Sequence, residues 1–358
     1  MFISALGSIT GKSNRLGFAK SNKVCVVLVD GLGSENLRNA GGHAPFLNAA
    51  LKASKSINTV FPSTTAAAIT SFGVGAPPST HGVFGYSVFD RAGEVVRNLL
   101  SGWSEDFRPA DFQKMASVSD DALVNNVEVF TVGPGEYAES GFTKLNMSSA
   151  AYIAAKTFEE RISAVQAILA QKKKSITYLY FPELDSIAHA YGVESTEWRN
   201  KLEELDASLK ALASSLPKDA GLLVTADHGI VDVPRANQIL LDELELPGLL
   251  AVTGDPRNTF LYFEEGLDVS EAKAYLEAEL AGQVVVATVD ELKANGWLKN
   301  EISNANYLPN LFLLALGNFA CYHRKFCKPQ SLRMIGQHGS ISQAELSVPL
   351  LRFGTYQN

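Results

Sequence analysis

Five short stretches of the sequence combine carboxylates, histidines and hydroxyls with residues that let the chain turn. They are Asp30-Gly31, Phe61-Pro-Ser-Thr-Thr65, Asp185 with His189, Asp227-His228-Gly229 and His338-Gly339. Carboxylates and imidazoles ligate divalent cations, and an activated threonine hydroxyl is a nucleophile. The chemistry that these residue types suggest is attack by a hydroxyl beside bound metal.

Asp30 follows an unbroken apolar run at residues 24–29, which is too short for a helix and typical of a strand buried on both faces. An Asp at that point lies at the carboxyl edge of the sheet, where open α/β folds place their ligands. Gly31 and Gly33 then allow a sharp turn into a helix at about residues 34–39. On this stretch alone, an Asp that only caps a helix remains an alternative.

Asp185 and His189 follow a predicted apolar strand at residues 176–181. They are four residues apart, so on a helical turn they share one face and can bind one cation. A fortuitous surface pair is the alternative. Asp227 and His228 directly follow another apolar strand, at residues 221–226, and an Asp-His pair beside a glycine is hard to explain as packing.

His338 and the two threonines are the remaining candidates. His338 lies between glycines, which favours a ligand over a core residue. Thr64 and Thr65 precede an alanine-rich helical run, where a hydroxyl faces unpaired backbone N–H groups and the positive end of the helix dipole. That environment favours an attacking alkoxide and phosphoryl oxyanions, although Ser63 or Thr64 could also be an ordinary N-cap.

Apolar runs alternating with helical patterns predict an α/β fold. We expect strands at residues 24–29, 57–61, 127–132, 176–181 and 221–226, a helix at about 150–173, and an amphipathic helix carrying Trp198, Leu202, Leu205, Leu209, Leu212 and Leu216. Residues 1–22 read as a loosely held arm or edge strand, and residues 87–150 as a surface excursion that covers the site. A βαβ-like pattern begins near residue 234, so we predict a core of residues 1–233 and 332–358 with an inserted subdomain at 234–331.

Composition narrows the class of protein. The chain has 358 residues, 46% of them hydrophobic, with a net charge of −7 and a pI near 5.5, which argues against a nucleic-acid duplex as partner. Three cysteines without CxxC spacing indicate a reducing compartment. The first twenty residues hold no apolar segment of signal-peptide length and no later run reaches membrane-span length, so we expect a cytoplasmic protein that does not associate with membranes.

As an ordered set, the five stretches resemble the alkaline phosphatase superfamily, specifically its type I phosphodiesterase or nucleotide pyrophosphatase branch. The resemblance implies a three-layer sandwich with a mostly parallel central sheet and a small inserted α/β subdomain. It also implies two divalent metal ions. One would be held by Asp185, His189 and His338, and the other by Asp30, Asp227, His228 and the nucleophile. The ligand types suit zinc, with manganese or iron also compatible.

The same resemblance selects Thr65 as the nucleophile. In relatives the threonine lies three residues after a proline and ten before the first glycine of a Gly-x-x-Pro-x-x-His-Gly loop, and both Pro62 and Gly75 give Thr65. Two positions depart from the pattern. Ala66 replaces an aromatic residue that stacks on a base, and Tyr86 replaces an asparagine that binds a phosphoryl oxygen, so Tyr86 is the candidate substrate contact. The Cys-x-Pro-x-Arg signature of sulfatases is missing.

The predicted function is hydrolysis of phosphodiester or pyrophosphate bonds in a small nucleotide-type or other phosphoester, through a phospho-threonine intermediate. A phosphomonoesterase or phosphomutase of the same superfamily is one alternative. A noncatalytic, metal-stabilised binding protein is another, and it would not need Thr65. The sequence does not indicate an oligomeric state.

Overall fold

The structure is a computed structural model that describes residues 1–357. Its strands, numbered along the chain, are β1 Lys23–Val29, β2 Ile57–Asn58, β3 Ser87–Asp90, β4 Val95–Asn98, β5 Glu128–Gly133, β6 Ala151–Ala154, β7 Ser175–Phe181, β8 Ala220–Thr225, β9 Val231–Asp232, β10 Gln238–Leu240, β11 Leu249–Asp255, β12 Asn258–Phe263, β13 Val284–Ala287, β14 Leu311–Ala315, β15 Ala320–Tyr322, β16 Gly336–Gln337, β17 Ser347–Val348 and β18 Leu351–Gly354.

The helices are numbered in the same way. They are α1 Phe2–Thr10, α2 Ser34–Asn39, α3 Pro45–Ala53, α4 Thr65–Val74, α5 Pro78–His81, α6 Pro109–Phe112, α7 Val118–Val124, α8 Gly141–Asn146, α9 Phe158–Leu169, α10 Glu183–Tyr191, α11 Thr196–Ser214, α12 Ser270–Glu279, α13 Val289–Ala294 and α14 Gln343–Leu346. None of the helices in residues 1–357 combines the length and the apolar character needed to cross a lipid bilayer.

The central sheet has the strand order β18-β8-β1-β7-β5-β6. Strands β8, β1, β7, β5 and β6 run parallel, and β18 pairs antiparallel with β8 at one edge. The strands predicted at residues 24–29, 127–132, 176–181 and 221–226 are confirmed as β1, β5, β7 and β8. Their apolar runs therefore mark the buried parallel strands of the sheet.

Helices cover both faces of this sheet. Alternate side chains of a strand point to opposite faces, so Cys25, Val27 and Val29 pack with α3, α9 and α11, while Val24 and Val26 pack on the other side with α1, α4 and α7. The α/β class with a mostly parallel central sheet is thus confirmed. The amphipathic helix is confirmed as α11, which ends before Leu216.

A second sheet, with the order β11-β12-β14-β13, lies within the predicted insert. All its neighbours are antiparallel, so β12 and β13 run parallel to each other with β14 between them, and α12 connects the pair. One hydrophobic cluster joins this sheet, through Phe260 and Phe312, to Phe84 and Phe107 of the chain before it. The division into a core and an inserted subdomain stays a prediction.

Two predictions about local structure are wrong. Residues 2–10 form the buried helix α1 instead of a loose arm, because Phe2, Ala5 and Ile9 recur at helical spacing and are fully buried. The helix predicted at residues 150–173 is instead the edge strand β6 followed by α9. Helix α9 begins where Thr157 and Glu160 form a capping box, which fixes the start several residues later than predicted.

Candidate active site

The candidate ligands converge at the carboxyl edge of three adjacent strands, β8, β1 and β7. Asp30 directly follows β1, Asp227 and His228 follow β8, and α10, which leaves β7, carries Asp185 and His189. Because parallel strands end at the same edge, residues from distant parts of the chain meet there.

Gly31 makes this convergence possible. Its φ of +73° is in the left-handed region, and an added Cβ would lie 2.5 Å from Ile230 Cδ1 and 3.2 Å from Asp185 Cβ. Its N–H donates a hydrogen bond to Asp227 Oδ1 at 3.1 Å. A side chain at this turn would therefore separate two of the strand ends that supply ligands.

The first ligand group consists of Asp30, Asp227 and His228, all of them buried. His228 Nε2 lies 3.4 Å from Asp30 Oδ1 and 3.5 Å from Asp227 Oδ2. One potential ligand atom from each of these residues lies within 4.8 Å of the others. That spacing can surround a single cation.

The second group consists of Asp185, His189 and His338. His189 Nε2 lies 3.2 Å from Asp185 Oδ2, and His338 Nε2 lies 3.9 Å from Asp185 Oδ1. The two groups adjoin, because the rings of His228 and His338 stack with centroids 3.5 Å apart. The six predicted protein ligands thus form two neighbouring triads, in the division that the sequence predicted.

The three histidines all point the same ring nitrogen toward a backbone carbonyl. The Nδ1 atoms of His189, His228 and His338 lie 2.7, 3.2 and 3.1 Å from the carbonyl oxygens of Gly336, Gly229 and Ser63. A carbonyl oxygen only accepts, so Nδ1 carries the proton and donates. In the neutral ring Nε2 then presents its lone pair, which is the arrangement found at metal-ligating histidines.

Orphaned oxygen atoms test whether divalent cations fit this site. Within residues 1–357, Asp30 Oδ1, Asp185 Oδ1 and Asp227 Oδ2 are buried without a hydrogen-bond partner. A buried carboxylate oxygen without a partner is costly unless a cation or a donor satisfies it. These atoms face the histidine Nε2 atoms, and the mixed nitrogen and oxygen set suits zinc. The residues present fit the ions that the sequence implied.

The electrostatics of the cluster lead to the same conclusion. Burial, together with the charges of Asp227 and Asp185, raises the pKa of Asp30 well above its ordinary value. Burial and the neighbouring His228 lower the pKa of His338 well below its ordinary value. Although burial opposes it, His189 lowers the pKa of Asp185. A bound cation would relieve the repulsion between the carboxylates, and the lowered pKa of His338 favours the neutral imidazole that binds metal.

Thr64 and Thr65 occupy different environments. Thr64 is 1% exposed and is the N-cap of α4, its Oγ1 accepting a hydrogen bond from Ala67 N at 3.4 Å. Thr65 is the first residue of α4, and its Oγ1 lies 3.1 Å from His228 Nε2. The hydroxyl of Thr65 therefore faces the first ligand group, whereas that of Thr64 serves the helix.

A cavity of about 530 Å³ adjoins the ligand groups. Asp30, Asp185 and Thr65 are among the residues that line it. Residues 87–150, predicted to cover the site, supply much of its wall. The aromatic side chains of the lining are Trp103, Tyr137, Phe142, Tyr152, Tyr178 and Tyr180. Such a chamber has room for an organic group beside the Thr65 hydroxyl.

Tyr86, the predicted substrate contact, lies apart from this cavity lining. Its side chain is among the exposed ones, and its backbone N–H donates to Asp255 Oδ2 at 3.1 Å. Asp255 and Tyr180 are neighbours of the site that sequence reasoning missed. Tyr180 lies in the strand predicted as an apolar run at residues 176–181. Its place next to the last residue of that strand was the signal that could have located it near the site.

Comparison with known proteins relates this geometry to a family. A family model described as type I phosphodiesterase / nucleotide pyrophosphatase matches residues 24–325. Ectonucleotide pyrophosphatase/phosphodiesterase family member 7 of Homo sapiens is 30% identical over 91 residues, which are 24% of this chain and 20% of the human protein. Its Rattus norvegicus counterpart is 28% identical over 91 residues, 24% of this chain and 21% of the rat protein. The match thus spans about a fifth of the length of these curated relatives.

Solved structures share the fold over nearly the whole chain. Murine ectonucleotide pyrophosphatase/phosphodiesterase 5, solved as an inactive variant in complex with AMP, superposes with a TM-score of 0.73 at 18% identity, covering 93% of this chain and 88% of the murine chain. Phosphonoacetate hydrolase from Sinorhizobium meliloti, solved with phosphonoacetate, gives a TM-score of 0.71 at 18% identity, covering 94% of this chain and 91% of that one. At these identities the likeness establishes the fold.

Proposed function

The chain belongs to the type I phosphodiesterase / nucleotide pyrophosphatase family, and from that premise we propose that it hydrolyses small phosphodiesters or pyrophosphates through a phospho-threonine intermediate on Thr65. The observation that carries the proposal is the position of Thr65 Oγ1, 3.1 Å from His228 Nε2 and in the lining of the cavity. The reaction would depend on two divalent ions, with zinc the leading candidate.

The residues that would hold the ions are the two triads. Asp30, Asp227 and His228 would hold one ion, and Thr65 would be a further ligand of that ion. Asp185, His189 and His338 would hold the other ion. When bound, two divalent ions would lower the pKa of the attacking hydroxyl and neutralise charge on the phosphoryl oxygens. The donor atoms already face inward, since the backbone carbonyls orient the histidine rings.

The chain's own contribution to the reaction begins with Thr65. Its Oγ1 would form a bond to phosphorus while the bond from phosphorus to the leaving oxygen breaks. A water molecule would then attack the phosphorus, release Thr65 and yield the second product. Helix α4 starts at Thr65, so the positive end of its dipole adds stabilisation to the negative charge that develops on the phosphoryl oxygens.

The charge of the cavity supports a diester preference. Its ionisable acids are Asp30, Asp185 and Glu136, and none of its lining side chains within residues 1–357 belongs to lysine or arginine. A phosphomonoester carries a second negative charge that this lining would leave without a protein cation. A diester carries one charge and presents an organic group to the aromatic wall. We therefore expect diesters to react faster than monoesters.

The test is a comparison of three substrates with purified protein. They are bis(p-nitrophenyl) phosphate, p-nitrophenyl phosphate and the p-nitrophenyl ester of thymidine monophosphate. We expect the diesters to be hydrolysed, the activity to disappear after chelation and to return with zinc or manganese, and the metal-free protein to melt at a lower temperature. Faster hydrolysis of the monoester would favour a phosphomonoesterase. Hydrolysis of none of the three by metal-loaded protein would contradict the proposal.

The cytoplasmic location and the lack of a nucleic-acid partner stay predictions. Both follow from sequence composition and patterning. Fractionation of the producing cells with antibody detection would test the first, and a duplex-DNA binding titration at low salt would test the second.

A further inference from the structure

Tyr180 and Asp30 project from adjacent strands onto the same face of the central sheet. Strand β7 pairs with β1 so that Tyr180 lies opposite Leu28, and Asp30 follows Leu28 by two residues. Because side chains two residues apart in extended chain share a face, the register sets the phenol beside the carboxylate. This is the face on which α4 packs, and α4 carries Thr65 at its start.

The two oxygens of the Asp30 carboxylate have different surroundings. Oδ2 accepts a hydrogen bond from the Tyr180 hydroxyl. Oδ1 has no hydrogen-bond partner within residues 1–357 and lies 3.4 Å from His228 Nε2. The terminal torsion of an aspartate is broad and roughly two-fold, so without a partner on Oδ2 the carboxylate could rotate.

We propose that Tyr180 is a positioning residue for the metal site of Asp30, Asp227 and His228. Its hydroxyl holds Oδ2 of Asp30 and thereby directs Oδ1 toward the ion. This inference rests on the two-metal site proposed above. Hydrogen bonds to ligating carboxylates orient them, and loss of such a partner typically weakens metal affinity or activity about 10- to 100-fold.

Tyr180 also lines the cavity, so the same side chain contacts Asp30 and faces the space in which an organic group could bind. It stacks on Tyr178 with ring centroids 6.0 Å apart, and Tyr137 packs edge-on against it at 5.9 Å. A group that fills the chamber would therefore contact the ring whose hydroxyl orients Asp30.

Tyr178 provides a matched control. It lies two residues earlier on the same face of β7, it is buried, and it lines the same cavity. Its hydroxyl is buried without a hydrogen-bond partner within residues 1–357. Tyr178→Phe and Tyr180→Phe thus remove the same atom from neighbouring rings, but only the second removes a contact with a ligand.

The experiment measures metal binding without substrate. Metal-free parent, Tyr180→Phe and Tyr178→Phe proteins are titrated with zinc against a chromophoric chelator, and Asp227→Asn identifies the step that belongs to the Asp30 site. We expect Tyr180→Phe to weaken that step about 10- to 100-fold and to leave the other step within about twofold, while Tyr178→Phe leaves both steps within about twofold of the parent. Thermal melts of the metal-free proteins accompany the titrations.

The other outcomes distinguish failure of this inference from failure of the proposed function. Equal affinity in Tyr180→Phe and the parent would show that the hydroxyl does not orient Asp30. Equal losses at both steps, together with a lower melting temperature, would show a structural role only. A parent that binds zinc in two steps but hydrolyses none of the three substrates would contradict the proposed function and leave this inference standing. A parent that binds no divalent ion would contradict both.

Discussion

Replacement of Thr65 by alanine should abolish turnover and leave the fold intact. Thr65 is the first residue of α4 and is not its N-cap, and the contact of its hydroxyl within hydrogen-bond distance is with His228 Nε2. Alanine is a good helix former, so the helix should lose nothing by the change. Because the attacking atom is removed, we expect turnover to fall by about 10³-fold or more.

Thr64 supplies the matched control one residue earlier. It is buried, and its Oγ1 caps the helix through Ala67 N. Loss of an N-cap hydroxyl costs about 1 kcal/mol of stability, which in a chain of 358 residues lowers the melting temperature by only about 1–2 °C. Thr64→Ala should therefore melt slightly earlier than the parent and keep a rate within about tenfold of it. The two substitutions delete identical atoms and should have opposite consequences.

The assay compares the variants on bis(p-nitrophenyl) phosphate at saturating metal, with thermal melts alongside. Thr65→Ser should keep measurable activity, because a primary hydroxyl can occupy the same place. If Thr64→Ala is inactive and Thr65→Ala is active, the assignment is displaced by one residue. If both alanine variants turn over at the parental rate, the covalent mechanism is wrong.

Two further predictions concern charge in the site. Asp185→Asn should weaken binding of the ion held by its own triad more than binding of the other ion, whereas Asp227→Asn should mainly weaken binding of the ion beside Thr65. Equal losses of affinity for both ions in chelator-competition titrations would contradict the division into two triads. Burial raises the pKa of Asp255 from 3.8 to about 7, so the folded protein binds this proton more tightly than the unfolded chain does. In metal-depleted protein, the contribution of Asp255 to the free energy of unfolding should therefore fall as the pH rises between these two values, and it should level off above them. The melting temperature of Asp255→Asn relative to the parent should rise across that pH range. A difference in melting temperature that does not depend on pH would contradict the raised pKa of Asp255.

The sequence could place the candidate ligands at one edge of the sheet because their signal is local. Each buried strand appears as a short apolar run, and Asp30, Asp185 and Asp227 each stand within a few residues of the end of such a run. The parallel topology then brings the ends together without any further information. These three carboxylates could therefore be placed at one edge from the sequence alone, whereas His338 was indicated by its flanking glycines and assigned to a ligand set by the family resemblance.

The failures occurred where the local signal was weak or misleading. In α1 the apolar positions are interrupted by serines and glycine, which hid the helical spacing of Phe2, Ala5 and Ile9. Strand β6 has the sequence Ala151-Tyr-Ile-Ala154, with alanine at both ends, and it lies at the edge of the sheet. These four residues are too few to show a strand pattern that could be distinguished from a helix. Tertiary pairing with β5 decides the outcome there.

Contacts between distant segments could not be predicted from a single sequence. Arg257 and Glu345 are fully buried and form a two-pronged ion pair at 2.8 and 2.9 Å, although 88 residues separate them. Arg257 also donates to the carbonyl oxygens of Phe319 and Ala315. Its charge is thus matched and its donors are paired, which a buried ion pair requires if it is not to destabilise the fold.

This ion pair connects the predicted insert with His338, one of the candidate ligands. Arg257 lies at the turn into β12, whereas Glu345 lies in α14 and accepts a hydrogen bond from Ser340 N. Ser340 in turn accepts through its carbonyl oxygen from Ser63 Oγ, and the carbonyl oxygen of Ser63 accepts from His338 Nδ1. Withdrawal of the insert would strand a buried carboxylate beside the loop that orients His338, and breaking such a pair costs about 3–5 kcal/mol. Through this ion pair the predicted insert therefore helps to support the segment whose carbonyl oxygen orients His338.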